Sequence, residues 1–300
     1  MIATPRGVTT RLGPAFDLLA TYRGVDDFFF ERAGIGVSGH GAASTVSGPL
    51  SELADAVTEA LANISVDTDG VAPVAAGALP FDPRVIGSLV IPQTVTGRNA
   101  AGAWQLDVTQ DPGAAVAGND DRGSPAQVGR GAPHAPFAEL QLVERPSASA
   151  YAGLVEAARA RIRAGALDKV VLARTLEVDA GRPLDGKQLL RRLRATEPDG
   201  YAFAAPLGRG ALVGASPELL AAVSGRSVSA NPLAGSAPRH GDPGADRISA
   251  DGLLRSAKDR HEHEVVVRAV ATALTPLCED LRHPPEPVLH ATANVWHLAT

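Results

Sequence analysis

The sequence predicts a mixed α and β fold, because short apolar runs alternate with stretches of helical periodicity. FFFERAGIGV, GALPF and SLVIP are short apolar runs, and SELADAVTEALANI between them has the pattern of a helix. The chain of 300 residues is 45% hydrophobic and carries charges of both signs, as folded globular proteins do. This length is sufficient for one large domain or two small ones.

The second half of the chain continues the same alternation. Gln110 to Pro136 is rich in Gly, Pro, Asp and Asn, which predicts a surface loop or linker. After it, a helical stripe ends near Gly165, DKVVLARTLEV has the β-branched pattern of a strand, and DGKQLLRRLRA predicts another helix. YAFAAPL, GALVGASPELLAAVSG and RSVSANPLAGSA then predict short strands, and a long helix follows through Ala273. The stripe of the first of these helices consists of Tyr151, Leu154, Val155, Ala158 and Ile162.

Composition excludes several classes of protein. The formal net charge of -5 and the pI near 5.9 argue against general nucleic-acid binding, which depends on clustered Lys and Arg. Cys278 is the one cysteine in the sequence, so no internal disulfide forms. The sequence has neither a signal-peptide pattern nor a long apolar run, and we therefore expect a cytoplasmic protein that does not enter a membrane. An anionic substrate would need a locally positive pocket.

The run SAKDRHEHEVVVRAV predicts a helix whose buried face carries acids. Counting back from the apolar stripe of Val266, Ala269, Val270 and Ala273 places Asp259, Glu262 and His263 on that same stripe, with His261 and Glu264 elsewhere. A buried carboxylate needs a partner. Two partners stay open: a hard cation such as magnesium, or an ion pair with Lys258 or Arg260. Zinc does not fit, because HExxH needs histidines four residues apart.

Two residues stand out as acid and base candidates. Glu218 follows a proline in GASPE, where burial would raise its pKa and make it a general acid, whereas the alternative is an ordinary surface glutamate. Lys169 opens DKVVLART, whose apolar neighbours predict a buried strand and a lysine of lowered proton affinity. The alternative is a lysine at a strand end that reaches water. Gly34, Gly36 and Gly39 spell GxGxxG, but no helix follows directly, so dinucleotide binding is not expected.

These segments together resemble a known family. DKVVLART, GASPELL, NPLAGSAPR, SAKDRHEHE and VWHLAT, in this order and at these separations, are similar to the motifs of the chorismate-utilising enzymes, and most of all to the isochorismate synthases of siderophore and menaquinone pathways. The resemblance covers residues 145–300, and FFFERAGIGVSGHG and GALPFDP support it more loosely. It implies an α/β (α+β) fold of two antiparallel sheets flanked by helices, with 1–140 as the N-terminal portion and 145–300 as an incomplete chorismate-binding domain.

The resemblance also implies site residues and a cofactor. Lys169 corresponds to the base that activates water for attack at C2 of chorismate, Glu218 to the acid that protonates the departing C4 hydroxyl, and Glu262 to a ligand of Mg²⁺. Gly235 and Ser236 correspond to substrate contacts, and His297 is expected to line the site. The lysine distinguishes the chain from anthranilate-type synthases, and Ala234 distinguishes it from aminodeoxychorismate synthases, which have a lysine there. Salicylate synthases share the lysine and stay an alternative.

The resemblance finally implies a segment beyond WHLAT. Family members continue into a part that supplies a second metal-binding glutamate and an arginine for a substrate carboxylate. We therefore expect residues 1–300 alone to be inactive and to aggregate, and a complete protein to be monomeric. The alternative to an enzyme is a truncated remnant that acts at most as a binding module.

Overall fold

A computed structural model of the chain describes residues 5–13, 16–67, 71–109 and 140–300. These residues form two compact units, of which the first contains the described residues up to 109 together with 185–300, and the second contains 140–184. The loop or linker expected from Gln110 to Pro136 lies outside the described residues. The division expected between residues 140 and 145 stays a prediction.

The first unit opens with strands and one helix. The predicted helix SELADAVTEALANI is confirmed as the first helix, and a 3-10 turn lies at Leu18–Thr21. The elements in this part are β1 (Arg6–Leu12), β2 (Phe28–Arg32), β3 (Ile35–His40), β4 (Ser44–Gly48), α1 (Leu50–Ala62), β5 (Ser65–Val66), β6 (Gly87–Ile91), β7 (Thr94–Asn99) and β8 (Gly102–Thr109).

The second unit consists of β9 (Gln141–Arg145), α2 (Ala148–Arg163) and β10 (Thr175–Asp179). The predicted helix is confirmed, and Gly165 follows it with a positive φ of 69°. The predicted strand DKVVLARTLEV is wrong for its first half, since the strand begins only at Thr175. Among the described residues no strand pairs with 168–174, and an apolar β-branched run without a hydrogen-bonding neighbour is not held extended in a sheet.

The first unit resumes at residue 185. The strands predicted from Tyr201 to Ala237 and the long final helix are confirmed. The elements here are α3 (Gly186–Thr196), β11 (Tyr201–Leu207), β12 (Gly210–Ser216), β13 (Leu219–Ser224), β14 (Ser227–Asn231), β15 (Leu233–Pro238), α4 (Pro243–Arg255), α5 (Ala257–Leu274), β16 (Val288–Ala291) and β17 (Val295–Ala299). A 3-10 turn at Thr275–Leu277 follows α5.

The largest sheet joins both segments of the first unit. Its strand order is β12-β11-β2-β3-β7-β8-β1-β5, and every pair is antiparallel except β1 with β5. The join lies between β2 and β11, where Phe30 pairs with Phe203. One core cluster covers this join, because the 3-10 turn and α3 pack side chains against the two strands. That cluster comprises Leu18, Leu19, Tyr22, Phe29, Leu190, Ala202 and Ala204.

The GxGxxG sequence forms a β-hairpin rather than a phosphate-binding loop. Ala33 and Gly34 are its two turn residues, with φ of 49° and 77°, which is the left-handed backbone that a two-residue hairpin turn requires. Gly36 lies in β3, where a Cβ atom would come within 2.0 Å of the Phe30 carbonyl oxygen. The glycines therefore serve a turn and a close strand contact.

A smaller sheet carries most of the motifs. It has the order β15-β17-β16, and all its pairs are antiparallel. Both α4 and α5 pack against β15 and β17. Each helix begins at a side-chain cap, since Asp242 accepts a hydrogen bond from the Ala245 N–H and Ser256 from the Asp259 N–H. The mixed α and β fold with antiparallel sheets flanked by helices is thus confirmed.

Candidate functional site

The first unit contains a pocket of about 400 Å³ at the edge of the smaller sheet. It collects residues from the end of β12, from β15 and β17, and from the turn between β16 and β17. Three of its lining residues, Glu218, Ser236 and His297, are site residues that the family resemblance implies. The pocket is lined by Glu197, Ala215, Ser216, Pro217, Glu218, Leu233, Ser236, Thr292, Asn294, Val295 and His297.

Glu218 lies between β12 and β13, where Pro217 interrupts the backbone pairing. Its Oε1 atom accepts a hydrogen bond of 3.1 Å from the Leu233 N–H, which ties the carboxylate to the start of β15. Of the two interpretations left open for Glu218, a buried acid and a surface glutamate, the structure agrees with the second, since the side chain lines an open pocket and is exposed. Glu218 is exposed because it lies in the two-residue connection between β12 and β13, at the rim of the pocket.

Ser236 and His297 form a hydrogen-bonded pair across β15 and β17. The Ser236 Oγ and His297 Nδ1 atoms are 2.9 Å apart, and the two residues are partners in the strand register. Burial lowers the pKa of His297, His290 on β16 lowers it further, and Glu218 and Glu197 oppose these effects. The imidazole is therefore disposed to be neutral near pH 7, with the pair exchanging one hydrogen bond.

Gly235 allows the final helix to approach the sheet. Its φ of 78° is in the left-handed region, and a Cβ atom at this position would lie 3.0 Å from the Cβ of Asp259 and 3.2 Å from the Asp259 carbonyl oxygen. Any side chain at Gly235 would push α5 away from β15. The glycine of the LAGSA motif thus fixes the distance between the pocket strand and the helix that carries the acidic run.

The acidic run of α5 lies partly as predicted. His263 is buried, with Nε2 at 2.7 Å from Thr300 Oγ1, and His261 and Glu264 are exposed as expected. Asp259 and Glu262 are only partly buried, with 20% and 35% of their side chains exposed. Ala269 and Ala273, by contrast, are exposed. The helix therefore presents Asp259 and Glu262 at the margin of its packed face rather than at its centre.

The ion pair left open in the sequence is present. Lys258 Nζ lies 2.9 Å from Glu262 Oε1 and 3.4 Å from Asp259 Oδ1. The hydrogen bond that Lys258 donates to Glu262 raises the pKa of Lys258. One ammonium group thus contacts both carboxylates, so this face of α5 already attracts a cation.

Asp259 and Glu262 fit magnesium in part. They are two carboxylates one turn apart, and magnesium binds through one or two protein carboxylates while it retains waters. The described residues contain no group of three or more His, Cys, Asp or Glu side chains that would surround a metal ion. The donor set thus suits a hard cation that takes its other oxygens from water and substrate.

Lys169 lies in the second unit, between α2 and β10. The expected surroundings are wrong: Lys169 is half-buried, but Val170 and Val171 are 40% and 78% exposed. The reason is the missing strand described above, because side chains of an unpaired segment are not covered on two faces. Its assignment as a base stays a prediction.

Sequence reasoning missed Glu197, Thr292 and Asn294. Glu197 follows the last turn of α3, and its Oε1 accepts a 2.9 Å hydrogen bond from the Ala293 N–H. Thr292 and Asn294 belong to the short connection TAN, directly before the VWHLAT motif. Their proximity to this motif was the one signal available for Thr292 and Asn294. Glu197 had no such signal, because its contact with Ala293 joins residues 96 positions apart.

The chain matches the family model of chorismate binding enzymes over residues 119–300. It therefore belongs to the chorismate-binding enzyme family. No helix among the described residues has the length and apolar character that crossing a membrane requires.

Similar proteins support this placement. MenF of Mycobacterium tuberculosis is 39% identical over 241 residues, which are 77% of this chain and 57% of that protein. The isochorismate synthase DhbC of Bacillus subtilis is 37% identical over 235 residues, 76% of this chain and 53% of that protein. The crystal structure of DhbC from Bacillus anthracis superposes with a TM-score of 0.74 at 31% identity, covering 94% of this chain and 68% of that one. The chain thus spans little more than half the length of the first two relatives.

Proposed function

We propose that the chain is part of an isochorismate synthase, which converts chorismate to isochorismate by adding water at C2 and releasing the C4 hydroxyl as water. Family membership and the similar proteins support this function. The observation that carries it is the pocket, in which Glu218, Ser236 and His297 lie together. These residues belong to three separate motifs of the family resemblance, and the fold brings all three to one cavity.

In this proposal Glu218 is the general acid. Its Oε1 is held by the Leu233 amide, so the transferable proton would be carried on Oε2. That proton passes to the C4 hydroxyl of chorismate, which leaves as water while the ring double bonds shift away from C2 and toward C4. Lys169 takes the proton of the attacking water. One water is consumed and one is released, so the reaction is an isomerisation.

Ser236 and His297 would orient the substrate. With His297 neutral, the pair offers one further donor and one further acceptor to a hydroxyl or carboxylate in the pocket. Neither group has to change its charge during the reaction. Their part in the proposal is binding and alignment rather than proton transfer.

The charge of the pocket favours a bound cation. Two glutamates line it, and among the described residues that line it there is no lysine or arginine. Chorismate carries two carboxylates, and unpaired like charges in a partly desolvated site repel. Magnesium held by Glu262, with Asp259 beside it, would supply positive charge for a substrate carboxylate when bound.

The test is an assay of the protein at the full length that its gene encodes, the gene-length protein. Chorismate is supplied with and without magnesium, and products are separated by chromatography. We expect magnesium-dependent isochorismate without release of pyruvate. Salicylate together with pyruvate would instead support the lyase alternative, and binding without any product would support the binding module. A monomeric state and a cytoplasmic location are further parts of the proposal.

A further inference from the structure

The turn between β16 and β17 forms one wall of the pocket. Thr292, Asn294 and Val295 line the cavity from this turn. Within the turn, the Thr292 N–H donates to the Val295 carbonyl at 2.9 Å, and the Val295 N–H donates to Thr292 Oγ1 at 3.1 Å. The Thr292 Oγ1–H also donates to the Val295 carbonyl at 3.0 Å. These bonds join the two ends of the turn, and the backbone groups of Ala293 and Asn294 between them are bonded to other elements.

Arg239, at the end of β15, holds the turn from behind. Its backbone N–H donates to the Asn294 carbonyl at 2.9 Å, and its Nη1 donates to the Thr292 carbonyl at 3.0 Å. Glu197 completes the attachment from the pocket side through its bond to the Ala293 N–H. All three turn residues are therefore hydrogen-bonded to other elements. Arg239 itself does not line the pocket.

The guanidinium of Arg239 is in turn fixed by two neighbours. Its Nε lies 3.0 Å from both carboxylate oxygens of Asp246 on α4, and it stacks over the ring of Trp296 at 4.3 Å from the centroid. The Trp296 Nε1–H donates to Asp246 Oδ1 at 2.9 Å. Hydrogen bonds from Arg239, the His240 N–H and Trp296 together lower the pKa of Asp246 to about 2, so the carboxylate stays charged. The side chains thus form a closed network of three.

We propose that Arg239 is a positioning residue of the pocket, which sets substrate affinity by fixing the turn 292–294. This inference rests on the proposed function, because it takes the pocket as the binding site. A turn that is already ordered in the free protein does not have to be ordered when the ligand binds. When the turn is released from Arg239, ligand binding has to order it, and the binding free energy falls by the free energy that this ordering costs. Arginine suits this role because its planar fork donates to Asp246 and Thr292 at once.

The test compares Arg239→Met and Arg239→Lys with a control, Arg247→Met, at an exposed arginine on α4. Chorismate binding to the gene-length protein is measured by calorimetry with magnesium present. We expect Arg239→Met to weaken binding about tenfold, as expected for lost charge-assisted hydrogen bonds. Arg239→Lys should lie in between, and Arg247→Met should bind normally. KM should rise with little change in kcat and no shift of the pH profile.

A second measurement distinguishes positioning from general damage. The sequence has two tryptophans, so the Trp296 indole N–H is assigned in nitrogen-15 spectra of the unliganded protein by comparison with Trp104→Phe. We expect Arg239→Met to shift this signal and the amides of 292–297 while the remaining spectrum stays that of a folded protein. If Arg239→Met does not fold, Trp296→Phe removes only the hydrogen bond from the indole to Asp246. This variant should shift the amide signals of the turn in the same direction but by less.

The outcomes separate the two proposals. Normal chorismate affinity and unshifted turn amides in Arg239→Met would overturn the inference and leave the proposed function standing. Shifted turn amides with normal affinity would overturn it as well, because the turn would not set affinity. If the unaltered protein binds no chorismate, the proposed function fails and the inference fails with it.

Discussion

Lys258 and Glu262 form an ion pair on consecutive turns of α5, with 2.9 Å between Nζ and Oε1. The glutamate that the family resemblance assigns to magnesium is thus already paired with a cation. A metal ion and the ammonium group compete for one carboxylate, and both sides of this competition are accessible to mutation.

The first prediction concerns this competition. Magnesium has to displace the Lys258 ammonium group from Glu262, and an exposed ion pair of this kind is worth less than about 1 kcal/mol. Lys258→Gln should therefore strengthen magnesium binding about threefold. Glu262→Gln should weaken it strongly, and Glu264→Gln, on the exposed face, should leave it unchanged. Magnesium titration followed by calorimetry checks all three. Equal affinities in Glu262→Gln and the unaltered protein would assign Glu262 to the ion pair alone.

The second prediction concerns the acid and the base. Glu218→Gln and Lys169→Ala should each lower kcat roughly 100-fold or more, the usual contribution of a general acid or base. Chorismate affinity should change far less. Glu279→Gln, at a carboxylate that is 90% exposed, serves as the control. Turnover near the normal rate in either variant would remove that residue from the mechanism.

The third prediction concerns stability at the join of β2 and β11. Glu31 on β2 is 4% exposed and lies 2.9 Å from Arg194 Nε. Arg194→Met should lower the free energy of unfolding by about 3 kcal/mol, because it leaves a buried carboxylate without its cation. Arg226→Met, which breaks an exposed pair with Glu279, should cost less than about 1 kcal/mol. Urea denaturation measures both.

The pH dependence of Arg194→Met follows from Glu31. Burial raises the pKa of Glu31 and Arg194 opposes this, so the variant should have a higher pKa still. The folded state then holds its proton at a pH where the unfolded chain has lost it. Stability of the variant should therefore fall as pH rises above about 4.5, and Glu31→Gln should abolish that fall. A flat profile in Arg194→Met would contradict the explanation.

The fourth prediction concerns His297. Its pKa in the folded protein is below the ordinary 6.5, chiefly because of burial, so unfolding takes up a proton in the interval between the two values. Stability should decrease as pH falls below about 6.5. His297→Gln should reduce that decrease, whereas His261→Gln, at an exposed histidine, should not. Urea unfolding at pH 7.5, 6.5 and 5.5 gives the slopes, and equal slopes in the two variants would disprove the assignment.

The fifth prediction concerns the second unit. Leu142 pairs with Val178 across β9 and β10, and these side chains are 62% and 47% exposed on the same sheet face as Leu176. Contiguous exposed apolar surface promotes association. A polypeptide of residues 1–300 should associate at micromolar concentration, and Leu142→Glu should reduce this. Val143→Glu, on the opposite face of β9, is the matched control in size-exclusion chromatography.

Local signals in the sequence predicted the elements well and the site in part. The helix SELADAVTEALANI, the end of α2 before Gly165 and the exposed position of Glu264 follow from short-range rules. The strand predicted at Lys169 was wrong because a strand forms only where another strand pairs with it. Glu197 was not foreseen because its role arises from the meeting of the end of α3 with a turn almost one hundred residues later, which no local pattern encodes.

The pairing of β2 with β11 has a consequence for the order of folding. The partner of Phe30 is Phe203, and the whole second unit lies between them in the chain. During synthesis the edge of β2 therefore stays unpaired until β11, whose Phe203 follows Phe30 by 173 residues, leaves the ribosome. Contacts of such long sequence separation slow folding. An exposed, hydrogen-bonding strand edge persists in the meantime, and such an edge can pair with another chain until β11 covers it.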